Sequence, residues 1–196
     1  MTQTMVQNLS QKREEGKNKK ALMVIAFENF KDEEYFLPKE ILEKGGVEVK
    51  TASPKKGIAI GSEGGEAKVD LLIEEVDLDE FEAVIFVGGP GALDYLDNEK
   101  SYALLRKAKE KQKIISAICI APLILAKAGI LSGKKATVWS SPFDRQPIQI
   151  LEERGAIFVE KSVVVDGKII TANGPSAAEE FGKTILKLLT LSLIHI

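Results

Sequence analysis

Lys113-Ile114-Ile115-Ser116-Ala117-Ile118-Cys119-Ile120-Ala121-Pro122 runs from an apolar β segment directly into a helical one, residues 120–130, and its turn carries the only cysteine of the chain. A strand that breaks sharply into a helix lifts the turn residue above the sheet edge, and the helix start offers it free N–H groups and a positive dipole. Such a turn is crowded, so the positions two before and two after must be small; here they are Ala117 and Ala121. Pro122 falls in the first helical turn, where its missing N–H is harmless.

A lone cysteine is also an ordinary small core residue. The flanking alanines, the helix start and a Gly-rich loop described below favour a reactive thiol. An ordinary thiol, with a pKa of about 8.5, is only a few per cent ionised at pH 7, and a helix N-terminus lowers it. The expectation from this turn is therefore a thiolate at Cys119.

Outward from the turn the pattern repeats. Ala21-Leu22-Met23-Val24-Ile25-Ala26-Phe27 and Ala83-Val84-Ile85-Phe86-Val87 are continuous apolar runs of the kind found in strands buried on both faces. Val47-Glu48-Val49-Lys50-Thr51-Ala52 and Ala136-Thr137-Val138-Trp139 read as further strands. Helices are predicted over 33–44, 98–111, 146–154 and 177–189, the last opened by the capping box Ser176-Ala177-Ala178-Glu179. Two pieces, Ile58-Ala59-Ile60 and residues 69–73, flank Gly61-Ser62-Glu63-Gly64-Gly65 as a β-hairpin excursion, and residues 163–171 form a second hairpin on Asp166-Gly167. Buried strands alternating with helices imply an α/β fold: a mostly parallel sheet between two helix layers, joined by right-handed crossovers.

The 196 residues are 44% hydrophobic and 29% charged, the composition of one globular domain. Residues 1–20 are polar and aperiodic and read as a disordered arm; residues 21–190 form the domain; residues 191–196 are an apolar tail compatible with a non-native addition. A net charge of −2 with interspersed lysines gives no nucleic-acid footprint. Even residues 114–130 are interrupted by Ser116, Lys127 and Gly129, so no membrane span is expected. One cysteine excludes an internal disulfide, and no signal peptide is evident, which fits a reducing cytoplasm. The single histidine, His195, lies in the tail, so neither a histidine-rich metal site nor a Cys–His dyad is expected, and no cofactor is implied.

In a doubly wound sheet the functional crevice lies at the carboxyl ends of the strands. Cys119, the loop Gly88-Gly89-Pro90-Gly91 and the acidic segment holding Glu28, Asp32, Glu33 and Glu34 all arrive there. Residues without Cβ let a backbone approach closely, so the N–H groups of Gly89 and Ile120 form a candidate pair of oxyanion donors. Taken alone, Gly-Gly-Pro-Gly is equally a tight turn, and it matches neither phosphate-binding glycine pattern. Composition does not choose among the acids.

Ala117-Ile118-Cys119-Ile120-Ala121-Pro122, Val87-Gly88-Gly89, Glu34-Tyr35-Phe36-Leu37-Pro38 and Thr171-Ala172-Asn173-Gly174-Pro175 together resemble the ThiJ/PfpI family over roughly residues 21–190. The resemblance implies a flavodoxin-like three-layer sandwich, shared with class I glutamine amidotransferases, and often a homodimer. It implies that Cys119 is the nucleophile-elbow cysteine, Glu34 the glutamate bonded to its sulfur, and Gly89 with Ile120 the oxyanion donors. It further implies action on reactive carbonyls such as methylglyoxal or its adducts on amines and thiols, through a hemithioacetal at Cys119. A non-enzymatic redox sensor or stress-protective binding protein, read out by Cys119 oxidation, is the alternative. Some relatives resemble Ala-Ile-Cys-His, whereas position 120 is Ile120, which disfavours a histidine-assisted peptidase. An ionised carboxylate beside a thiolate is repulsive, so Glu34 is expected to be protonated when Cys119 is ionised, the two titrating as a pair.

Overall fold

The long strands are apolar at successive positions, and so on both faces, which explains the layers. The computed structural model describes residues 19–191, so the expected arm and tail, His195 included, lie outside the described residues except at their inner edges. The strands are β1 (Lys20–Val24), β2 (Glu28–Phe30), β3 (Glu48–Ser53), β4 (Gly57–Gly61), β5 (Glu66–Val69), β6 (Leu71–Leu72) and β7 (Ala83–Phe86). They continue with β8 (Ile114–Ile118), β9 (Lys135–Ala136), β10 (Ile157–Phe158), β11 (Val163–Asp166) and β12 (Ile169–Ala172). The helices are α1 (Asp32–Lys44), α2 (Ala92–Leu96), α3 (Glu99–Glu110), α4 (Pro122–Lys127), α5 (Gln146–Glu153) and α6 (Ala178–Leu191).

The central sheet has the order β11-β12-β8-β7-β1-β3-β6. Every pair is parallel except the β11–β12 hairpin at one edge. Its interior follows the doubly wound order of flavodoxin-like folds. Successive residues of each buried strand point to opposite faces. Leu22, Val24, Val84, Phe86, Ile115 and Ala117 accordingly enter one core, with Leu105 of α3, Leu123 of α4 and Leu151 of α5. Ala21, Met23, Ile85, Ile114 and Ile118 enter the other, with Leu42 of α1 and Phe181 and Ile185 of α6. The expected sandwich forms because both faces of these strands are apolar.

Several local expectations give way to tertiary contacts. The first hairpin is part of a three-stranded sheet, β2-β4-β5, in which β2 pairs parallel with β4. The predicted strand over 69–73 is cut at Asp70: its N–H donates to Thr51 O at 2.9 Å and its carboxylate accepts from Thr51 N–H at 2.8 Å. That exchange hands the chain to the main sheet as β6.

The predicted strand 136–139 survives only as β9, paired with β10 in a separate two-stranded sheet. Thr137 N–H goes instead to Thr171 Oγ1 at 2.9 Å, and Trp139 N–H to Cys119 O at 2.8 Å, leaving no ladder to extend. Ser176 lies inside a 3₁₀ turn, Pro175–Ala177, and does not serve as the helix cap. The helix after Cys119 is only six residues, Pro122–Lys127, against the predicted eleven-residue span 120–130. No helix among the described residues is long and apolar enough to cross a membrane.

Candidate active site at the β8–α4 elbow

Cys119 follows β8 with φ of 64°, a left-handed conformation that side-chain-bearing residues rarely adopt. The surrounding backbone holds it there: its N–H donates to Ala172 O at 2.9 Å and its C=O accepts from Trp139. Ala117 and Ala121 are fully buried beside it, as a crowded elbow requires.

Glu34 projects from the first turns of α1 and is completely buried. Its Oε2 accepts from Gly88 N–H at 3.1 Å, and the Cys119 thiol is its side-chain partner. The other carboxyl oxygen, Oε1, is buried without a hydrogen-bond donor among the described residues. Gly88 explains how sulfur and carboxyl come so close. A Cβ there would lie 2.6 Å from Cys119 Cβ and 2.7 Å from Glu34 Oε2. Gly89, at φ 112°, is equally constrained, because its Cβ would stand 2.3 Å from Lys31 N.

The structure thus separates the four acids. Glu28 and Glu33 are exposed. Asp32, although buried, is committed to the β4–β5 turn, accepting from Glu63 N–H at 2.9 Å and Gly65 N–H at 2.7 Å. Only Glu34 meets the sulfur. The N–H groups of Gly89 and Ile120 both donate toward that same sulfur, so the residues singled out from sequence converge on one point.

The electrostatics differ from the expected acidic thiol. Burial raises the Glu34 carboxyl to about 7, against the pull of its bonds to Cys119 and Gly88. Burial, followed by the charge of Glu34 and its hydrogen bond, pushes the Cys119 thiol up to about 12, and the amides of Gly89 and Ile120 offset this only partly. A six-residue helix supplies little dipole to help. Two negative charges in one buried site are unfavourable, so at neutral pH the pair holds at most one. The two groups titrate as a unit, with burial and the charge of the carboxyl both working against ionisation at the sulfur.

Above the pair is a cavity of about 500 Å³. Its walls include residues that sequence reasoning did not assign to the site: Lys31, Leu93, Asp94 and Trp139. Leu93 sits on α2, a short helix that a five-residue stretch signals poorly, and the sequence pattern places Trp139 in a strand. Among the described residues no three His, Cys, Asp or Glu side chains cluster to hold a metal ion.

The DJ-1/PfpI family pattern matches residues 19–188. An uncharacterised protein of Methanocaldococcus jannaschii is 43% identical over 93% of this chain and 88% of its own length. The protein named deglycase PfpI of Pyrococcus furiosus is 32% identical over 86% of this chain and 98% of its own. The crystal structure of a ThiJ/PfpI domain protein from Brachyspira murdochii superimposes with a TM-score of 0.84 at 35% identity, covering 89% of this chain and 98% of that one. By this span of matched sequence, and by an elbow built as described, the chain belongs to the DJ-1/PfpI family.

Proposed function

We propose that this chain is a cofactor-independent enzyme acting on reactive carbonyls, of glyoxalase or deglycase type, with Cys119 as nucleophile and Glu34 as its proton carrier. The observation behind it is the pairing of half-buried Cys119 with fully buried Glu34 at a cavity, with two backbone amides directed at the sulfur. The names of the deglycase relatives support the substrate class.

The thiol adds across the aldehyde of methylglyoxal: a C–S bond forms, the carbonyl π bond opens, and the thiol proton passes through Glu34 to the new oxygen. The developing oxyanion is two bonds from sulfur, within reach of the Gly89 and Ile120 amides. Glu34 then removes the proton on the carbon bonded to sulfur, and the neighbouring ketone oxygen takes up a proton to give an enediol. The carbon-bound proton returns to the former ketone carbon as the hydroxyl on the sulfur-bearing carbon gives up its own, leaving a thioester. Water hydrolyses the thioester to lactate and regenerates the thiol. A carboxyl raised to about 7 exchanges protons in both directions at neutral pH, as this cycle requires.

Cys119→Ser and Glu34→Gln are expected to lower lactate production from methylglyoxal by at least about 100-fold, with unchanged circular dichroism. Lactate formed at the wild-type rate by either variant refutes the proposal.

The same donors favour a second reading, in which Cys119 is a redox sensor. When protonated, Glu34 joins the two amides as a donor directed at the sulfur, and an oxygen added there by oxidation would accept from them. Mild peroxide should then add two oxygens selectively at Cys119, and a mass spectrum lacking that addition counts against it.

A further inference from the structure

The geometry points to a cavity that selects 2-oxoaldehydes carrying a long apolar substituent over methylglyoxal, with Leu93, Ile120 and Trp139 as the specificity-determining walls; this rests on the carbonyl reading above. The cavity measures about 500 Å³. Methylglyoxal has five heavy atoms, and at a liquid-like ~30 Å³ for each it fills about 150 Å³. Most of the space remains, and its walls are apolar: Leu93, Ile120, Trp139, Pro90 and Pro175.

The polar side chains besides the dyad are engaged or peripheral. Lys31 is ion-paired with Glu63, and Asp94 is exposed at the rim. Apart from the indole N–H of Trp139, the wall thus offers little to answer a hydroxyl or amide on the substrate body, whereas a hydrocarbon body displaces poorly bonded water. The wall is also pre-built. Trp139 is tied through its N–H to Cys119 O at 2.8 Å, and its ring lies 3.6 Å from where a Gly174 Cβ would be. Ile120 contributes a backbone donor to the reacting centre and an apolar side chain to the wall.

The probe pair is methylglyoxal against 2-oxooctanal, whose reacting carbonyls have matched electronics. Five added methylenes, at about fourfold per buried methylene if fully buried, set a ceiling near 1,000-fold. We expect kcat/KM at least about 30-fold higher for 2-oxooctanal, carried mainly by KM. Trp139→Ala should shrink that ratio at least about fivefold. Leu93→Ala serves as the second variant should Trp139→Ala fail to fold.

A second readout does not require turnover: protection of Cys119 from iodoacetamide at pH 8 by unreactive 2-octanone against acetone. Protection by 2-octanone at concentrations at least about 30-fold lower, with the gap narrowed in the variant, supports the inference. Equal protection by the two ketones overturns it. Loss of turnover on both aldehydes with the protection gap intact removes the enzymatic reading and leaves the apolar selectivity standing.

Discussion

Replacing Glu34 by glutamine should change how stability depends on pH, by an amount set by its burial. In the folded chain the carboxyl is raised from 4.5 to about 7. A group raised in this way binds its proton more tightly when folded, so its stabilising contribution is complete below about pH 4.5 and is lost as pH rises through about 7. At ~1.4 kcal/mol per pH unit, that interval amounts to about 3 kcal/mol. Glutamine has nearly the same shape, can accept the Gly88 N–H through its amide oxygen, and does not titrate.

Subtracting wild type from Glu34→Gln cancels every group that does not interact with Glu34. In the variant the charge and hydrogen bond of Glu34 no longer raise Cys119, but burial, the largest cause, still holds the thiol above its ordinary value, so it contributes little at or below pH 8. Urea unfolding of both proteins at pH 4.5, 6 and 8 is the assay. The variant should gain about 3 kcal/mol on the wild type across the series, or roughly 10 °C in Tm for a domain of this size. Parallel stability profiles for the two proteins would show that Glu34 is solvated normally and would remove the basis for its role as a proton carrier.

Two further outcomes follow from the backbone around the site. Cys119 sits at φ 64°, so Cys119→Gly should be more stable than Cys119→Ala by about 1 kcal/mol, inverting the usual order of these residues; equal urea midpoints would remove the claim of strain. Asp32 holds two amides of the β4–β5 turn, so Asp32→Ala should cost about 2 kcal/mol and speed hydrogen exchange at Glu63 and Gly65; unchanged exchange at those amides would show that the carboxylate does not order the turn.

The sequence by itself determined the sandwich, because runs such as Ala83-Val84-Ile85-Phe86 are apolar at every position and can be satisfied only by a sheet covered on both faces. It also located the elbow, since the small residues flanking Cys119 and the glycines at 88 and 89 record local steric demands of the backbone. Elements whose donors are claimed from afar were not legible: the strand through Trp139 dissolves because Cys119 O and Thr171 Oγ1 take its amides. Composition and spacing did not choose among the acids and the family resemblance pointed to Glu34; the physical reason came from the tertiary structure, where Glu34 is buried on the core side of α1 and its neighbour Glu33 is exposed. The direction of the thiol's shift was likewise hidden from local pattern. Desolvation sums over every atom packed around Cys119, from β8, α1 and the loop after β7, and that sum exceeds what two amides and a short helix return.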